Sequence, residues 1–200
     1  MNRPEWEGSA YPLLRHLTPP VVAVTTAADG EHNGMIANSA QRASLVPALP
    51  RISLYVSKVN HSHDLAYRSG LLTVHLLRQD QWQLIWQLGL QSGRDGDKLK
   101  GLEVRTGETG CPYLADAIAA FEGRVINAMD AGAATFFLLD VVAVHGGTEG
   151  PVMTSEHFRR HMPDDKKLLY EARLLAAQDE LARMAASVSR KAWPGPVTEP

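Results

Sequence analysis

Apolar and polar residues alternate with a period of two over several short stretches, and recur at helical spacing over three others. Residues 20–26 form a β-branched run that stops at Asp29-Gly30, which predicts a buried strand running into a turn. Residues 34–45 supply its partner. Residues 52–57 alternate apolar and polar behind Pro47 and Pro50, the signature of a half-buried strand. Residues 71–77, 118–129 and 135–145 predict three more strands, the last two joined around Asp130-Ala131-Gly132. Helical spacing marks residues 63–69, closed by Gly70, and residues 80–90, where Trp82, Ile85, Trp86 and Gly89 recur before a polar, glycine-bearing run at 92–97.

The chain then changes character. Pro163-Asp164-Asp165 opens a pattern with Leu168, Leu175, Leu181, Met184 and Val188, which predicts a long helix with a single apolar stripe, acids at its start and Arg183, Arg190 and Lys191 toward its end. Such a helix serves as a buttress or as a dimer clamp. The organisation expected is one domain over 1–162, the helix over 163–191 appended to it, and a frayed proline-bearing tail over 192–200. Hairpin-type connections predict a mainly β, antiparallel Greek-key barrel or sandwich with peripheral helices, since a parallel sheet needs a helix after almost every strand.

Composition narrows the function classes. Twenty Lys plus Arg against 22 Asp plus Glu leave a formal charge of -2, so no basic excess invites nucleic acid or an anionic membrane surface. The amino terminus has acids and a proline where a secretory signal needs an apolar run, and no stretch approaches the roughly 20 residues of a membrane-spanning helix. Cys111 is the single cysteine, which rules out an internal disulfide and fits a reducing cytoplasm. No Gly-x-Ser-x-Gly elbow, Walker loop or Gly-x-Gly-x-x-Gly occurs.

The chemistry-bearing stretch runs from Gly34 to Ser62 and is dense in small polar donors. Ser62 falls where the N-cap of the following helix belongs, so its hydroxyl and the free amides after it suit either a simple cap or a phosphate, with Lys58 and His61 adding charge. The pairs His61/His63 and His157/His161 have metal-ligand spacing but lack a cysteine or the Glu of His-Glu-x-x-His, so ordinary polar roles are expected of them. Cys111 beside Pro112 reads as a small buried residue.

In order, Gly34-Met35-Ile36-Ala37-Asn38-Ser39, Ser44-Leu45-x-Pro47, Lys58-x3-Ser62, Ser69-Gly70-x3-Val74 and Gly110-Cys111-Pro112-x-Leu114 make the chain resemble the flavin reductase-like family with its FMN-binding split β-barrel. The resemblance spans roughly residues 18 to 150. It implies FMN, alternatively FAD, as cofactor, NAD(P)H as co-substrate, and a homodimer with flavin near the interface. It also implies a partner monooxygenase as one destination of reduced flavin. It places Met35, Ile36, Ala37, Asn38 and Ser39 beside the isoalloxazine, and Ser44, Lys58, His61 and Ser62 around the ribityl chain and phosphate. Gly34 and Ala37 would permit close approach to a flat ring. One departure bears on activity. Where reductases of this kind carry Gly-Asp-His, this chain has Gly132-Ala133-Ala134. An NAD(P)H-dependent flavin reductase is the leading expectation, and a non-catalytic FMN carrier or electron-transfer flavoprotein is the alternative.

Overall fold

The computed structural model describes residues 13–17, 19–191 and 193–196. Nine strands appear: β1 (Val22–Ala28), β2 (Glu31–Ala37), β3 (Gln41–Arg42), β4 (Arg51–Ser57), β5 (Leu71–Leu76), β6 (Val104–Thr106), β7 (Pro112–Leu114), β8 (Ala119–Asp130) and β9 (Ala134–Gly146). Among the described residues four α-helices of full length accompany them: α1 (His61–Ser69), α2 (Trp82–Gly89), α3 (Ser155–His161) and α4 (Asp164–Ala182). Seven strands form one antiparallel sheet in the order β2-β1-β5-β8-β9-β4-β3, and β6 and β7 form a separate ribbon.

Chain length forces this sheet to curl. Its two outermost strands, β2 and β3, are joined by residues 38–40 alone. Four residue steps from Ala37 to Gln41 reach about 14 Å at most. Seven flat strands would separate the same edges by roughly 29 Å. The edges must therefore approach, and Ser39 Oγ donates to the Tyr55 carbonyl at 2.8 Å across the gap. Register shifts at Glu122/Gly123 and Val125/Asn127 bend β8 to match.

The β1–β2 hairpin turns on Asp29 (φ 52°) and Gly30 (φ 79°), the two left-handed positions of a type I′ turn. β1 is buried almost throughout because both of its faces are covered, and its two threonines, Thr25 and Thr26, donate their hydroxyls to the carbonyls of Pro112 and Leu71. Val22 and Val24 join Leu54, Val56, Leu72, Phe137 and Leu139 inside the curled sheet, whereas Val21 and Ala23 join Leu77, Ile85, Trp86, Leu88 and Met153 beneath α2 and α3. His75, fully buried, ties β1 to β7. Its Nδ1–H donates to the Ala23 carbonyl at 3.2 Å and its Nε2 accepts from Leu114 N at 3.1 Å.

Several boundaries differ from expectation. The strand expected over 34–45 is two strands, because the chain leaves one sheet edge at Ala37 and joins the other at Gln41. The helix after β4 begins at His61, with Asn60 at the N-cap, so Ser62 is not a cap; it lies inside the first turn, buried, accepting from Asn33 Nδ2 at 3.0 Å. α3 was not foreseen; Thr154 caps it, accepting from His157 N at 3.0 Å. The last helix ends at Ala182 rather than near 191, and its leucines are not a packing stripe: Leu168 is 74% exposed and Leu175 63%. Among the described residues no helix is long and apolar enough to cross a membrane.

Candidate functional site

The end of β2, the start of α1, the loop after α2 and one face of α4 enclose a hollow of about 300 Å³. Met35, Ile36, His61 and Ser62 line it, so two separate stretches of the expected site meet there. A second hollow of about 160 Å³ holds Ala37 and Asn38 over an apolar floor of Val21, Ile85, Trp86 and Phe158. Ile36, Gly89 and Leu90 line both, which makes the two hollows neighbours.

The remaining expected residues lie elsewhere. Ser39 spends its hydroxyl on the Tyr55 carbonyl. Ser44 Oγ accepts from Val46 N at 3.1 Å, and Ser44 opens on a hollow of about 820 Å³, an apolar space walled by Pro47, Ile52, Phe121 and Val144. Lys58 Nζ pairs with Asp130 at 2.8 Å and lines a different hollow of about 510 Å³, together with His63, Tyr67, Thr135 and Trp193. The Lys58 ammonium and the Gly132 amide, which donates at 2.7 Å, hold the Asp130 carboxyl below its ordinary range.

Gly34 has a packing role of its own. A Cβ on Gly34 would stand 2.8 Å from Leu88 Cδ2 and 2.9 Å from Leu99 Cδ2. Gly34 thus lets α2 and the loop beyond it settle on β2. Gly93 has the same role in that loop, because its α-carbon passes directly over the Asn33 side chain.

Positive charge in the first hollow comes from residues that sequence reasoning did not select. Arg94 Nη1 donates to the Val59 carbonyl at 2.9 Å and Nη2 reaches Asp64 at 3.3 Å, so it braces the turn before α1. Lys98 is buried with its Nζ on the carbonyls of Leu88 (2.6 Å) and Gln91 (3.1 Å), and burial pushes its pKa down to about 8. Arg173 and Glu180 enter from α4. Arg94 sits in the glycine-bearing run at 92–97, and the only signal for it is that such a loop follows an amphipathic helix. α1 itself begins without a side-chain cap, the Asn60 side chain turning its Nδ2 to Met35 Sδ at 3.6 Å, and of its first-turn amides His63 N donates to the Asn60 carbonyl at 2.9 Å. A hollow with an uncapped helix start, guanidinium groups and an adjoining apolar shelf has the donor set for an anion carried on a flat apolar body.

The histidines divide. His63 is buried, Nε2 sits 2.8 Å from Thr135 Oγ1, and burial lowers its pKa against the opposing pull of Asp64. His157 and His161 stack on α3 with ring centroids 4.1 Å apart. Among the described residues no three His, Cys, Asp or Glu side chains group to hold a metal. Cys111 is buried, and burial raises its thiol pKa.

Residues 14–165 match the model of the flavin reductase like domain. The chain is 30% identical over 149 residues to the high molecular weight rubredoxin of Moorella thermoacetica, covering 74% of this chain and 64% of that protein. It therefore spans less than two thirds of that relative's length. It is 28% identical over 133 residues to the ferric-chelate reductase (NAD(P)H) of Archaeoglobus fulgidus, covering 66% of this chain and 78% of that protein. Among solved structures, the NADH:FAD oxidoreductase of Streptomyces globisporus superposes with a TM-score of 0.65 at 23% identity, over 77% of this chain and 92% of that one, which shows a shared fold.

Proposed function

The chain belongs to the flavin reductase-like family, and from that premise we propose that it binds a flavin and passes reducing equivalents from NAD(P)H through it to an acceptor. The observation that carries this reading is the meeting of Met35 and Ile36 with His61 and Ser62 around one hollow, with Ala37 and Asn38 in the next. Met35 to Ser39 would lie along the ring, with His61 and the start of α1 toward the phosphate; Ser44 and Lys58 line separate hollows. FMN is the cofactor favoured, with FAD as the alternative. Bound flavin supplies hydride acceptance and one- or two-electron delivery; the chain's residues bind it, orient it and shield it from water.

The assembly proposed is a homodimer, and the acceptors proposed are a ferric chelate or a partner monooxygenase. A second reading, a flavin carrier without nicotinamide-dependent activity, draws support from Ala133 and Ala134, which bring neither an acid nor an imidazole to the β8–β9 turn. Purified protein should quench the fluorescence of added FMN at micromolar concentration and accelerate NADH or NADPH oxidation above the rate free flavin sustains. Quenching without acceleration favours the carrier. No quenching with FMN, FAD or riboflavin refutes both.

A further inference from the structure

α4 begins at Asp164, one residue before the family match ends, and it sits lightly on the body: none of its residues is fully buried, and Tyr170 packs edge-on against Phe158 at 5.5 Å. Its face toward the body of the protein is nonetheless specific. Arg173, Ala176, Ala177 and Glu180 fall at positions i, i+3, i+4 and i+7, one side of a helix, and all four line the hollow that holds His61 and Ser62. A helix that only covered a core would turn leucines inward, but Leu168 and Leu175 point to solvent. Two alanines in the middle of the inward face keep the hollow open, and the ends of that face carry charge. Arg173 has no hydrogen-bond or ion-pair partner among the described residues, whereas Arg94, across the hollow, is held by Val59 and Asp64.

We propose that α4 is the outer wall of the cofactor site and that Arg173 is its specificity residue, selecting flavins that carry a phosphate on the ribityl chain. The inference rests on the flavin reading above. Arg173 contributes a planar donor fork suited to a phosphate, and Arg94, already braced, supplies a fixed second charge. The acids that face this group are Glu180 on α4 and Asp64 on α1; Asp64 is turned to Arg94, and Glu180 lies two helical turns along α4 from Arg173.

The test uses the full chain and the quenching of FMN, FAD and riboflavin fluorescence at low and at high salt. The unmodified protein should bind FMN more tightly than riboflavin, and the margin should shrink as salt rises. Arg173→Ala should weaken FMN about tenfold, which is about 1.4 kcal/mol, and leave riboflavin unchanged. Arg173→Lys should recover most of the loss because the charge returns. Riboflavin bound as tightly as FMN by the unmodified protein would overturn the inference and leave the flavin reading standing. So would FMN affinity untouched by Arg173→Ala, or equal loss for both ligands, since a merely structural helix would move them together. Absence of any flavin binding overturns both.

Discussion

Replacing Glu122 with glutamine removes one negative charge from a buried carboxylate that accepts four hydrogen bonds. Glu122 lies on β8 with no exposed side-chain surface. It accepts from Glu108 N (2.9 Å), Thr109 N (2.8 Å), Thr109 Oγ1 and His145 Nε2. Burial alone would raise its pKa, but the bonds from His145 and Thr109 win and hold it at about 2, against 4.5 for a free side chain. That difference corresponds to about 3 kcal/mol of folding stability. The sign follows from the depressed pKa: the stabilisation is fully present above pH 4.5 and is lost as pH falls through about 2, with roughly 1 kcal/mol gone one pH unit below 4.5. Glutamine keeps the shape, yet its amide puts a donor where Thr109 and His145 already donate. Thermal unfolding followed by circular dichroism near pH 7 should place Glu122→Gln about 6–12 °C below the parent. The gap should narrow as the pH is brought to about 3.5. A variant as stable as the parent, or a gap that ignores pH, would refute the assignment.

Three further outcomes are expected. His75, whose pKa burial lowers to about 4, should stay neutral with its proton on Nδ1 between pH 7 and 5 in nitrogen-detected NMR; its contribution to stability is whole above pH 6.5 and declines from there toward 4, and a normal titration would contradict its bonding. Gly34→Ala should cost about 1–3 kcal/mol in urea unfolding, because the new methyl meets Leu88 and Leu99 on a packed face; an unchanged midpoint would show that α2 is free to shift. Gly132→Ala combines a φ of 79° with a methyl 2.5 Å from the Ala185 carbonyl, so it should destabilise by about 1–2 kcal/mol and speed amide exchange over residues 184–191; slow exchange there would mean that the turn does not anchor the chain's end.

What the sequence made legible follows from how local each signal is. Asp29-Gly30 announces its hairpin because two left-handed positions are needed within the turn itself, and β4 shows its half-buried alternation because one face meets the core. β1 reads as a β-branched run without polar alternation for the opposite reason, being covered on both faces. Residues 34–45 misled because the small residues Asn38, Ser39 and Ala40 do not announce that the chain is stepping between sheet edges; the strand order makes that visible. The site was legible in part. Met35, Ile36, His61 and Ser62 meet, but whether Lys58 was available could not be read locally, since its partner Asp130 lies 72 residues away. α4 was legible by its period but not in its facing, because an apolar stripe suits a buttress and a clamp alike.

The alanines at 133 and 134 are best understood through what packs on them. Ala134 is fully buried and pairs with Ser57; the Ala133 carbonyl accepts from Lys58 N at 3.0 Å. Gly132 lies against the Ala185 carbonyl, and Trp193 packs on Gly70 and Tyr67, walling the same hollow as Lys58, His63 and Thr135. The loss of an acid and an imidazole is therefore not a gap left in an otherwise open cleft. Small residues at 132–134 are what allow the segment after α4 to lie across the β8–β9 turn, and the same segment continues from the helix that walls the proposed cofactor site. A longer side chain at 134 would have to displace core packing, and one at 133 would meet a turn already clamped. In the reading proposed above, binding and nicotinamide access are separable: the hollow at His61 would hold the flavin phosphate, while the β8–β9 turn is covered by the segment that carries Ala185, Ser189 and Trp193. A reductase built this way must admit its nucleotide from another side, and a carrier need not admit one at all.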